Sequence, residues 1–163
     1  MGYTTDFEGS VTVTPPLNET ERAYLLRFAD TRRMDRTSGP YFVDGTDGQW
    51  GHGQGHDSDI RDYNCPPEGQ PSLWCQWVPT EDGTAIEWDG GEKFHEADVW
   101  MRYLIDHFLR SGARAEGHPG FEGFTFDHVV NGVIHAQGED SDDTWDLVVT
   151  DNAVTVYRDA DAA

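Results

Sequence analysis

Apolar and polar positions alternate from Tyr3 to Val13, with Phe7, Val11 and Val13 in one phase and Asp6, Ser10 and Thr12 in the other. A period of two predicts a strand with one wet face, and Gly9 within it marks a bulge or a close approach of another backbone. Pro15-Pro16 stops the strand. Asn18 with Glu21 three residues later forms a capping-box pattern, so a helix starts there and runs to about Arg33. Leu25, Phe28 and Ala29 form its inner face with Tyr24 beside them, and Arg32-Arg33 complement the negative end of its dipole. A second helix is predicted from about Phe94 to Arg110, because Ala97, Met101, Leu104, Ile105 and Phe108 recur at three- and four-residue steps. Trp100 lies at the edge of that stripe, and Gly112 is placed as the C-terminal cap. Three strands follow at Val133 to Gln137, Trp145 to Thr150 and Ala153 to Tyr157. Asp151-Asn152 joins the last two as a turn that tolerates positive φ at both positions.

Between these elements lie a long loop region over 35–70 and an extended loop over 113–131, both rich in Gly, Pro and polar residues. In the first, only Pro40 to Val43 reads as a short strand. In the second, Phe121, Phe124 and Phe126 are expected to fold back onto the body. The most detailed stretch is Asp62 to Lys93, which holds three of the six tryptophans and the only lysine. Leu73 to Val78 and Thr84 to Trp88 flank Pro79-Thr80-Glu81-Asp82-Gly83, the pattern of a hairpin with a longer loop. Leu73, Cys75 and Trp77 fall on one face; Trp74, Gln76 and Val78 fall on the other. Large apolar groups on both faces predict a central hairpin covered on one side by helices. The expected fold is α+β: one domain over 1–163, with a single antiparallel or mixed sheet of about five to seven strands and two helices on one face.

Composition narrows the function classes. The balance of 31 acidic against 11 basic residues gives a formal charge of −20, which disfavours direct contact with nucleic acid or anionic membranes. No stretch approaches the ~20 apolar residues of a membrane helix and no basic, then apolar, leader opens the chain, so the expectation is a cytoplasmic protein. Cys65 and Cys75 match no zinc spacing and read as reduced thiols. His52, His56 and Asp57 could face a metal from a helix, but three interleaved glycines make that helix improbable, and no metal or cofactor is expected. Glu139 to Asp143 carries four carboxylates but lacks the ligand spacing of a Ca²⁺ loop, and reads as a solvated turn. No nucleotide-binding, zinc-protease or serine-hydrolase signature occurs.

Several runs resemble a family of short, uncharacterised bacterial and phage-encoded proteins: Met1 to Gly9, Phe28 to Met34, Asp62-Tyr63-Asn64 with Leu73 to Pro79, Glu87 to Phe94, and Gln137 to Ser141 with Val154 to Val156. The chain departs from that pattern around His52 to His56 and from Arg114 to His128. The resemblance implies a shared surface around the hairpin and no particular reaction.

Three functional expectations follow. The first is a non-enzymatic binding module that recognises a protein or a small polar ligand through Asp62, Tyr63, Asn64, Gln76, Trp77, Glu87, Asp89, Glu92 and Lys93. Aromatic anchors with amide and carboxylate neighbours suit recognition. Asp62, Asn64, Gln76, Glu87 and Lys93 are expected to converge on one concave patch. The second is a small hydrolase or transferase using Glu87, Asp89 or Glu92 as general base and Lys93 or His95 as acid. The third, resting on net charge alone, is an acidic mimic of nucleic acid.

Overall fold

The computed structural model describes residues 3–43 and 60–158. In chain order the elements are β1 (Asp6–Thr14), α1 (Glu19–Asp30), β2 (Asp35–Arg36), β3 (Ile60–Asp62), β4 (Trp77–Pro79), β5 (Ala85–Trp88), α2 (Ala97–Leu104) running into a π-helical turn (Ile105–Leu109), β6 (Val129–Gln137), β7 (Thr144–Thr150) and β8 (Ala153–Arg158). Six strands form one antiparallel sheet in the order β4-β5-β1-β6-β7-β8, and β2 with β3 makes a separate two-stranded ribbon. The fold is α+β with a single main sheet.

The period-two signal decides which sheet face is covered. Phe7, Val11 and Val13 of β1 are buried with Val130, Ile134 and Ala136 of β6 and Leu147 and Val149 of β7, whereas Glu8, Ser10, Thr12, Asn131, Val133 and His135 point to solvent. Both helices pack on the covered face and share one core with it: α1 gives Leu25 and Phe28, and α2 with its extension gives Trp100, Met101, Leu104, Ile105 and Phe108. The capping box forms as the sequence implies. The Asn18 side chain accepts from the Glu21 N–H at 2.8 Å, and Glu21 Oε1 accepts from the Asn18 N–H at 2.8 Å.

Several expectations need correction. The tryptophan-rich hairpin is not central: β4 is an edge strand and begins only at Trp77. β1 and β6 are central instead, because their nine-residue pairing is the longest in the sheet. Helix α1 ends at Asp30, so Arg33 lies beyond its last turn and enters the core, its guanidinium 4.1 Å from the Phe28 ring. Burial pulls that guanidinium down to about 10. Trp100 is fully buried rather than marginal, and its indole N–H donates to Ser72 Oγ at 2.8 Å. Residues 40–43 form no strand, and the helical run spans Ala97 to Leu109 rather than about Phe94 to Arg110, with Arg110 rather than Gly112 as its C-cap. His52, His56 and Asp57 lie outside the described residues.

β6 starts at Val129, four residues earlier than the alternation suggests, and continues through Gly132. A Cβ on Gly132 would lie 2.8 Å from Val11 Cα and 2.9 Å from Ser10 O, and the residue has φ +153°. The glycine that hides the strand in the sequence is therefore what lets β1 and β6 approach. Gly132→Ala should lower unfolding stability by more than about 1 kcal/mol through that clash and the unfavourable φ, read from urea midpoints at unchanged denaturant slope.

Candidate functional site

Beside β4 lies a groove of about 460 Å³ built from three separate segments. Asn64 and Pro66 come from the turn after β3, Ser72, Leu73, Trp74 and Gln76 from the approach to β4, and Glu92, Lys93 and His95 from the connection between β5 and α2. Local chemistry holds each segment. Asp62 accepts from the Asn64 N–H at 2.8 Å, forming an Asx turn. Arg32 clamps that turn through the Tyr63 carbonyl at 3.1 Å and Asn64 Oδ1 at 3.3 Å.

Gln76 is the joint between the two sides. It is 8% exposed, its Nε2 donates to the Glu92 carbonyl at 2.8 Å, and its Oε1 accepts from the Trp88 indole N–H at 3.0 Å. The Gln76 carbonyl also accepts from the Asp89 N–H at 3.0 Å. An amide on a covered face has to be satisfied in this way, and here doing so ties the 88–93 turn to the β4 approach. Asp89 Oδ1 accepts from the Gly91 N–H at 2.8 Å. Partial desolvation raises the Asp89 carboxyl above its ordinary value, although the residue as a whole is exposed.

The segment that carries Lys93 and His95 into the groove has two backbone outliers, of which Lys93 lines the groove and Glu96 lies just past it. Lys93 (φ +57°) and Glu96 (φ +54°) flank His95 in the left-handed region. Non-glycine residues there carry strain that tends to concentrate at ligand-facing positions. Lys93 is exposed and has no ion-pair partner among the described residues, despite the surplus of carboxylates. Trp74 is 38% exposed at the lip.

Of the nine residues singled out from the sequence, Asn64, Gln76, Glu92 and Lys93 line the groove. Asp62, Tyr63 and Asp89 support or adjoin its walls. Trp77 and Glu87 do not belong to it, and the expected convergence of Glu87 with the others is not found. Trp77 is a core residue, 1% exposed, packed edge-on by Phe7 and Phe94 and donating its indole N–H to the Ala97 carbonyl at 2.8 Å. Glu87 pairs with Ser10 on the solvent-open face of the sheet, because the period of two puts it opposite the buried Ile86. Sequence reasoning puts Trp74 on the outward face with Gln76 but leaves it out of the nine site residues, and it misses Leu73 and Pro66 as the apolar wall. The inward phase of Cys75 and Trp77 implied an outward Trp74, and that was the available signal.

Among the described residues no hydrogen bond or ion pair links Glu87, Asp89 or Glu92 to Lys93 or His95, and no three His, Cys, Asp or Glu side chains gather to hold a metal ion. No described helix is long and apolar enough to cross a membrane. No family model, curated protein or solved structure matches this chain.

Proposed function

We propose that this chain is a non-enzymatic binding module whose groove beside β4 takes a small polar ligand that combines a flat apolar part with an anionic group. The observation that carries the reading is the exposed, unpaired Lys93 held in a strained backbone position across a groove from Trp74 and Leu73. Its volume falls within the range of roughly 300–1,000 Å³ usual for small-molecule sites. A protein partner would ordinarily need about 800 Å² of one face, which favours the smaller occupant. Trp74, Leu73 and Pro66 supply apolar contact, Lys93 supplies charge, and the Asn64 amide supplies direction. The carboxylates that acid–base chemistry would need are not joined to Lys93 or His95 by any hydrogen bond, which favours recognition over turnover.

The test is calorimetric titration with a panel of small aromatic carboxylates. Trp74→Ala and Lys93→Met should each weaken the best binder about tenfold or more, the scale of a lost charged hydrogen bond or aromatic anchor. Lys93 is exposed, so Lys93→Met should stay within about ±0.5 kcal/mol of wild-type stability, whereas Trp74, 38% exposed, should cost about 1–2 kcal/mol on truncation and leave the chain folded. Affinity unchanged in both variants would overturn the assignment.

A further inference from the structure

A second groove, of about 440 Å³, lies over the π-helical turn and includes Glu68, Arg102, Tyr103, Asp106, His107 and Arg114 in its lining. The turn is where the helix closes i to i+5: the Arg110 N–H donates to the Ile105 carbonyl at 3.1 Å. Insertions of this kind are rare and recur at functional sites. Here the turn presents His107, whose ring is fixed from two sides. Tyr103 stacks on it with centroids 3.8 Å apart, and Tyr41 Oη meets its Nδ1 at 2.6 Å. Tyr103 is itself held by Gln70, whose Nε2 donates to the Tyr103 hydroxyl at 2.9 Å and to the Pro40 carbonyl at 2.8 Å. The stack and the hydrogen bond fix the imidazole in one orientation, with its Nε2 edge left for the groove. Burial, with Arg114 and Arg110 nearby, lowers the ring to about 4, so it is neutral at physiological pH.

The charges around the ring are unequally used. Asp106 is neutralised by Arg110 at 2.9 Å, and Arg102 is held by Asp98 at 2.9 Å. Arg114 has no ion-pair or hydrogen-bond partner for its guanidinium among the described residues, and His107 Nε2 has no partner there either. We propose that this groove is an anion-binding site that takes one oxyanion group, a phosphate or a carboxylate, on the Arg114 guanidinium and the Nε2 edge of His107. The net charge of −20 does not forbid it. At physiological salt the Debye length is about 8 Å, so distant carboxylates are screened and the local arginines decide. Glu68 is the uncompensated acid of this lining, and it opposes the anion. This site is independent of the groove beside β4.

The experiment is an NMR titration of the ¹⁵N-labelled chain with sodium phosphate and, separately, sodium succinate, each against sodium chloride at matched ionic strength. Saturable shifts at Tyr103, His107 and Arg114 with either probe support the site, and the stronger probe names the source. Arg114→Ala should weaken binding about tenfold or more, as expected for a charged hydrogen bond. Glu68→Gln, which removes the opposing charge, should tighten it, and this second variant keeps the test informative if Arg114→Ala folds poorly. Shifts no larger than those in sodium chloride, wild-type affinity in Arg114→Ala, or weaker binding in Glu68→Gln would each overturn the proposal.

Discussion

Replacing His128 with alanine should cost about 3–5 kcal/mol of stability, as breaking a buried ion pair does, and lower the melting temperature by roughly 10 °C. Glu21 and His128 are fully buried, at 0% and 1% exposure, and their Oε2 and Nε2 lie 2.8 Å apart. His128 Nδ1 meets the Pro15 carbonyl at 2.6 Å, and a carbonyl only accepts, so Nδ1 carries a proton. A proton on Nε2 as well, facing a carboxylate, makes the pair an imidazolium with a carboxylate. Glu21 Oε2 also accepts from the Thr125 N–H at 3.1 Å. The pair therefore latches the first turn of α1 to the end of the 113–128 loop. Burial alone would raise the Glu21 carboxyl, but hydrogen bonds from His128, Asn18 and Thr125 leave it below its ordinary 4.5. Burial would lower His128, but Glu21 and Pro15 leave it above its ordinary 6.5.

The signs set a pH window. A depressed carboxyl contributes stability above its unfolded value and loses it as pH falls through the folded one; a raised imidazole contributes below its unfolded value and loses it as pH rises through the folded one. The stability difference between wild type and His128→Ala should therefore be largest between about pH 4.5 and 6.5 and shrink on either side. A difference that does not vary with pH would mean that the pair is uncharged.

Trp77→Ala should cost a similar amount, about 3–5 kcal/mol, through the cavity left by a fully buried indole. Phe7 and Phe94 pack its ring at centroid distances of 5.3 and 5.1 Å and would both border that cavity. Trp77→Phe keeps most of the packing and loses the 2.8 Å bond to the Ala97 carbonyl at the start of α2, so it should cost about 1–3 kcal/mol. Neither change should alter ligand affinity in protein that remains folded, in contrast to Trp74→Ala. On the proposed reading the two tryptophans, three residues apart, divide stability from recognition, and chemical denaturation beside calorimetry tests that division.

What was legible in the sequence follows from how local each signal is. The capping box at Asn18 and Glu21, the positive φ at Asp151 and Asn152 (+46° and +74°) and the return of Phe121, Phe124 and Phe126 to the core are short-range patterns, and all are present. Sheet order is long-range. Hydrophobicity on both faces of the hairpin implies centrality, but Trp74 faces the groove and residues 72–76 reach it before β4 begins. Glu21 is visible as a cap, while nothing local marks His128 as its partner, although Phe124, Phe126, His128 and Val130 continue one inward phase into β6. A polar residue in an inward phase needs a partner, and that partner lay 107 positions away. The groove over the π-helical turn is hidden because it requires knowing that the helix slips by one residue at Ile105–Leu109.

The central claim, that the groove beside β4 is the recognition site, is tested most directly by mapping amide shifts as an aromatic carboxylate is titrated into the ¹⁵N-labelled chain. The predicted result is saturable shifts concentrated at Asn64, Leu73, Trp74, Gln76 and Glu92 to His95, lost in Lys93→Met while the rest of the spectrum is unchanged. Shifts confined to the open face of the sheet around Glu87 and Ser10, or no saturable shift from any member of the panel, would contradict it.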